Sequence, residues 1–306
     1  TGRMAQSYYG DLVDLIVMHP VLFDRMDKLI RIAQVAGEGD HSAFDSMAMV
    51  SLLSCCPEYV DRLDDLLELA KAASPMVHSG LGGLALMLGA RADLPGKLGM
   101  FIEMFRRIKE TLGEYVYGAF ESLGKIVQLR PDLSERLEIF AEPLRKIKEA
   151  DPEHTWEAYH TVAAFIEYRP DLAEDLELFS EPFRQVKKAL GAESPEAYKY
   201  LTGIARYRPD LAGDLEKLIG PVIAIVKVTR NISAPNEIAQ QMKVESVRGL
   251  FSMLVERVPE LADKLEGFSS LAQAFQAKTE DVFWLLLHMA GQGLLGKDNF
   301  DQVVRE

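Results

Sequence analysis

The side chains able to do chemistry are scattered through this chain rather than grouped. Six histidines occur, His19, His41, His78, His154, His160 and His288. A metal site built on a helix needs ligands three or four residues apart, so that they share a face. No two of these histidines have that spacing, and His154 and His160 stand six apart. The two cysteines, Cys55 and Cys56, are adjacent. A disulfide between neighbours is strained, so both read as reduced, small residues buried at a helix end. There is no Walker-type phosphate loop, dinucleotide fingerprint or Gly-x-Ser-x-Gly elbow. The glycine-dense segment with Gly80, Gly82, Gly83 and Gly89 lacks the lysine of a phosphate loop and reads as close helix packing. The 47 acidic residues fall mostly on polar helix faces, with no isolated acid–base pair. The expectation is a non-catalytic chain with no metal and no cofactor.

Bulk properties narrow the partner. A net charge of −13 weighs against nucleic acid, which needs a basic footprint. It suits a protein or peptide partner. No apolar stretch reaches the 18 residues of a membrane span. No secretory signal is read before the first repeat, and Thr1-Gly2-Arg3 reads as an expression scar. The expected location is the cytoplasm.

The elements that must position any site follow from one repeated phrase. Arg-Pro-Asp-Leu begins at Arg130, Arg169 and Arg208, 39 residues apart. Behind it come Leu133, Leu137, Phe140, Leu144 and Ile147. The same columns hold Leu172, Leu176, Phe179, Phe183 and Val186, then Leu211, Leu215, Leu218, Val222 and Ile225. One period earlier stand Leu94, Leu98, Phe101, Phe105 and Ile108, behind Arg91-Ala92-Asp93. Steps of four and three place these residues on one helix stripe. Degenerate copies start at Pro20, Pro57 and Pro259, so seven copies are keyed on positions 20, 57, 92, 131, 170, 209 and 259. Proline fits the first turn of a helix, and Asp132, Asp171 and Asp210 favour its positive end. A second proline recurs at Pro143, Pro182 and Pro221, inside the stripe. It predicts a kink or break with the apolar face carried through. The second helix of each copy precedes the Arg-Pro phrase, roughly from Trp156 to Tyr168 and from Ala197 to Tyr207.

Two antiparallel helices per ~40 residues, the first interrupted by proline, resemble HEAT and armadillo repeats. The resemblance spans nearly the whole chain. It implies an all-α fold, a right-handed α-α superhelix (solenoid) of about seven ~39-residue repeats, in one domain covering 4–306. It brings no Asp–Arg ladder, because the Arg and Asp here sit elsewhere than in those families. The His-Glu pairs of iron-binding HEAT-like enzymes are absent, and the overall acidity weighs against the basic binding face of repeat-built DNA glycosylases.

A solenoid exposes one row of helices on its concave side. The helices before the Arg-Pro phrase are expected to form it. Their non-core positions are Glu121, Lys125 and Gln128, then Glu157, His160, Thr161 and Glu167, then Lys199, Tyr200 and Arg206. This mixture of charges and an aromatic suits a bound peptide or helix. The period lengthens between Pro209 and Pro259, through an insertion near 227–241 that reads as a surface loop. Its Asn231-Ile232-Ser233 matches a glycosylation acceptor that a cytoplasmic protein would not use. The apolar segment Val282–Leu287 is expected to pack back on the last repeat, with a homo-oligomer or partner contact as the alternative. The expected function is a protein-binding scaffold or adaptor. The competing readings are a subunit held in a larger complex by the C-terminal segment, and an enzyme or small-molecule binder with a site spread over several repeats.

Overall fold

In a computed structural model, residues 13, 15–37, 52–53, 56–74, 77–90, 94–116, 118–230 and 237–305 are described. His41, Cys55, the Arg91–Asp93 phrase and positions 231–236 of the insertion lie outside them, as does the side chain of His78. Among the described residues all regular structure is helical and there is no strand. No helix there is long and apolar enough to cross a membrane.

One steric rule punctuates the chain. Proline excludes the α conformation from the residue before it. His19, Cys56, Arg130, Arg169, Arg208 and Val258 accordingly share φ between −127° and −139° and ψ between 63° and 79°. Each preceding helix ends there. The N–H of Arg130 still bonds the Ile126 carbonyl, and that of Arg169 the Phe165 carbonyl. The Arg130 carbonyl then accepts from Leu133, and the Arg169 carbonyl from Leu172, which opens a 3-10 turn at the proline.

The chain divides into two compact units, Thr1–Glu149 and Ala150–Glu306. The first holds α1 (Met26–Gly37), α2 (Leu63–Ala73), α3 (Val77–Ala90), α4 (Leu98–Leu112), α5 (Ala119–Leu129) and most of α6 (Ala141–Ala150). Within it α1 packs on α2, α2 on α3 and α4, and α3 on α5. The second holds α7 (Thr155–Tyr168), α8 (Ser180–Leu190), α9 (Ser194–Tyr207), α10 (Leu215–Arg230), α11 (Glu237–Arg257), α12 (Leu265–Phe275), α13 (Thr279–Gly291) and α14 (Lys297–Arg305). Here α7, α9, α11 and α13 pack in succession, and so do α8, α10, α12 and α14. Cross-packing of α8 on α9, α9 on α10, α10 on α11 and α12 on α13 joins the two sets.

The apolar stripes are buried as the period requires, from Leu133 to Ile147 and from Leu172 to Val186. Leu211 is the half-buried exception. The second proline divides two ways. Before Pro143 and Pro182 the chain makes separate 3-10 turns, Leu137–Phe140 and Leu176–Phe179, and then begins a new helix. Each proline is the third residue of that helix, where no intrahelical partner is lost. Pro221 instead lies inside the continuous helix α10.

The glycine-dense segment packs closely, as read. A Cβ on Gly83 would stand against the Phe120 carbonyl oxygen, and one on Gly124 would lie 2.7 Å from the Gly83 oxygen. Only hydrogen at both positions lets α3 and α5 approach so near. Cys56 is a buried free thiol.

Arginine links the copies. Arg130, Arg169 and Arg208 each clasp the Asp two residues on, with Nε donating to one oxygen at 2.8–2.9 Å and Nη2 to the other at 2.6 Å. Asp132, Asp171 and Asp210 thus serve as guanidinium acceptors, beyond the dipole role their place suggests. Within the second unit Arg169 Nη1 also donates to the Pro209 carbonyl at 3.4 Å, and Arg208 Nη1 to the Pro259 carbonyl at 3.2 Å. Arg208 further pairs with Asp263 at 2.9 Å. In the first unit a different arginine, Arg25, links two copies by donating to the Val60 carbonyl at 2.5 Å and to Asp61 at 2.6 Å.

Candidate partner-binding face

Helices α7, α9, α11 and α13 present a common set of outward columns. A shift of 39 residues takes α7 to α9, and the 50 residues from Pro209 to Pro259 take α9 to α11. A shift of 32 aligns the buried Val247, Phe251, Leu254 and Val255 of α11 with the buried Thr279, Phe283, Leu286 and Leu287 of α13. One column then reads His160, Lys199, Gly249 and Asp281. Another reads Glu167, Arg206, Glu256 and His288. All of these are exposed except Gly249, which is half-buried.

Most of the sequence-predicted residues lie on such columns. His160 is exposed and stacks on Trp156, ring centroids 5.5 Å apart and planes 12° from parallel. Glu157 is half-buried and Glu167 exposed. Lys199 is exposed and donates to Glu196 at 2.6 Å. The Arg206 guanidinium lies 5.5 Å from the Tyr207 ring centroid. In the first unit Glu121 pairs with Lys125 at 3.2 Å on α5, and Gln128 is exposed one turn further on.

Tyr200 and Thr161 are corrections. Tyr200 is fully buried, with its ring edge-on to Phe251 at 5.2 Å. Burial raises its phenol above the ordinary value. Thr161 is buried too and donates to the Tyr198 carbonyl at 3.4 Å. Both share a column with the buried Ser122. That column faces the neighbouring helix, so neither side chain belongs to an outer face.

A buried carboxylate escaped the reading of the sequence. Asp151 has no exposed side-chain surface and accepts from Tyr198 Oη at 2.9 Å and from His154 Nδ1 at 3.1 Å. Lys187 Nζ stands 3.4 Å away and also bonds Glu153. Burial, and then the carboxylate beside it, raise the Tyr198 phenol. The signal was present: Asp151 fills the column occupied by Leu112 and Leu190 in the adjacent copies. Every polar partner in the cluster is engaged with another, which describes a structural network rather than a poised acid or base.

The second unit also has an open groove of about 820 Å³ between α10, α12 and α14, with Leu211, Leu218 and Pro221 on its apolar side. Its charged rim is internally paired, Lys217 with Asp214 and Lys264 with Asp301. Among the described residues no group of three or more His, Cys, Asp or Glu side chains converges as a metal site would require.

The C-terminal apolar segment divides between interior and surface. Phe283, Leu286 and Leu287 are buried, while Trp284 is 56% and Leu285 58% exposed. Comparison with protein-family models, with curated proteins and with solved structures finds no match.

Proposed function

We propose that the protein is a non-catalytic scaffold or adaptor that binds a segment of another protein along the outer columns of α7, α9 and α11. The observation that supports this most is the pair of columns His160–Lys199 and Glu167–Arg206. Their side chains are exposed on adjacent packed helices. Glu167 and Arg206 carry opposite charges on adjacent helices, and Trp156 is exposed beside His160, which fits a peptide or helix carrying both charge and apolar anchors. On this reading the two-helix copies form a solenoid, and the outer columns its binding row.

The test is site-specific photo-crosslinking from positions 160, 167, 199 and 206 in a lysate, beside a Glu167→Lys/Arg206→Glu variant. One protein crosslinked from several of these positions and lost from the variant would support the reading. A partner held equally by both forms would place the interface elsewhere.

A further inference from the structure

The last helix of the row departs from the others at two columns that are buried or half-buried in α7 and α9. Where α13 has Trp284 and Leu285, α7 has Ala163 and Ala164, α9 has Thr202 and Gly203, and α11 has Ser252 and Met253. The two large side chains keep more than half of their surface in solvent. Asp281 and His288 flank them and are also exposed. Positions 281, 284, 285 and 288 are i, i+3, i+4 and i+7, so the four make one stripe on α13, the spacing of a helix–helix seam.

The stripe is complementary to itself. A two-fold axis midway between Trp284 and Leu285 sets Trp284 against the partner subunit's Leu285. The same axis sets Asp281 against the partner subunit's His288, a carboxylate facing an imidazole N–H donor. Both ends of the seam are satisfied by one operation, as an isologous contact requires. We propose that two copies of this chain associate through α13 in antiparallel orientation, with Trp284 and Leu285 at the centre and Asp281–His288 pairs at the rim. A foreign helix would need its own matching acid, apolar pair and imidazole, whereas a second copy carries all of them in register. The seam lies on α13, where the same columns end in Asp281 and His288, beyond the α7, α9 and α11 positions assigned to the adaptor, so its test needs none of those positions. A seam of one helix pair is small, which points to a micromolar dimer rather than an obligate one.

The test is light scattering and sedimentation equilibrium of the full chain over about 1 to 100 µM. The expected result is a mass rising toward twice that of the chain. Trp284→Glu removes the central anchor and is expected to weaken association at least ~30-fold, with helical circular dichroism unchanged because the site is exposed. Asp281→His and His288→Asp each place like groups opposite one another and are expected to weaken it as well. The double swap restores an Asp opposite a His and is expected to recover the dimer. A wild-type chain that stays monomeric throughout overturns the proposal, including one that holds a different protein on this face. So does a dimer indifferent to Trp284→Glu. Failure of the swap to recover what its single variants lose overturns the antiparallel register.

Discussion

Replacing Asp151 with leucine restores the residue type of its column, yet it is expected to destabilise the second unit. Tyr198 is 1% exposed, and the 2.9 Å bond to Asp151 is the hydrogen bond its hydroxyl makes. Lys187 and His154 keep 23% and 17% of their side-chain surface in solvent, so both can turn to water, and Lys187 retains Glu153. The loss therefore concentrates on one buried hydroxyl without a partner, about 1–3 kcal/mol. Tyr198→Phe alone leaves the buried carboxylate short of a donor, at about the same cost. With both groups made apolar, neither penalty remains, and replacement of both partners by apolar groups of similar shape is nearly neutral. The double variant should then fall well short of the sum of about 2–6 kcal/mol, leaving a coupling of at least about 2 kcal/mol. Native-state hydrogen exchange of peptides from α7, α8 and α9 is the suitable assay, because long helical arrays need not unfold in one step. Single-variant costs that add to within about 0.5 kcal/mol would refute the coupling and leave Asp151 a tolerated exception in an apolar column.

Four further outcomes follow from the same geometry. Gly124→Ala puts a methyl 2.7–2.8 Å from backbone atoms of Gly83, which cannot step aside as a side chain would; a loss of about 1–3 kcal/mol is expected in urea melts, and an unchanged midpoint would mean α3 and α5 are not so close. Tyr200→Glu forces a charge into a fully buried site and should abolish cooperative folding, whereas Lys199→Glu next to it should shift the thermal midpoint little; equal effects would return Tyr200 to the surface. Acid should weaken the second unit through Asp210, held below the usual carboxylate range by the Arg208 guanidinium. Asp263 contributes in the same sense: burial alone would raise it, but donors from Lys297 and Arg208 outweigh that. For both groups the folded value is the lower one, so their stabilisation is full above about pH 4 and disappears as the pH falls through the folded values. Asp263→Asn should flatten that part of a stability-against-pH curve, and an unchanged slope would remove Asp263 from the account.

How much of this was legible in the sequence depended on whether the cause was local. Proline dictates the conformation of the residue before it without help from the rest of the fold. All six described X-Pro junctions that end a helix at a key position were therefore readable, together with the apolar stripes behind them. The fate of the second proline was only half readable. Pro143 and Pro182 are tolerated because a new helix starts two residues before each, and the stripe alone cannot separate one kinked helix from a 3-10 turn followed by an α-helix. Tyr200 was misplaced because hydroxyl-bearing side chains look outward on paper. Its column neighbours Ser122 and Thr161 mislead in the same way, although all three face a neighbouring helix. The arginine links were beyond reach, since a guanidinium that spans from one copy to the carbonyl of the next depends on how adjacent helices are set. Asp151 was visible as a break in an apolar column, but the Tyr198 that satisfies it lies 47 residues away.

The internal copies also bear on what kind of partner fits. Core columns keep their character through the second unit: Phe179 and Phe183 are followed by Leu218 and Val222, all buried. The outer columns do not. One runs His160, Lys199, Gly249, Asp281, and another Glu167, Arg206, Glu256, His288. A polymer with a repeating chemical unit, such as a nucleic acid backbone, is best held by the same group in every copy. Columns whose residue type differs from helix to helix present a non-repeating pattern, which is complementary to a folded or helical protein segment of one particular sequence. Resetting one column to a single charge, with Glu167→Lys and Glu256→Lys beside the native Arg206, should therefore weaken a specific protein partner and strengthen salt-sensitive retention on heparin. Retention of the partner through that change would show that the outer columns do not read it.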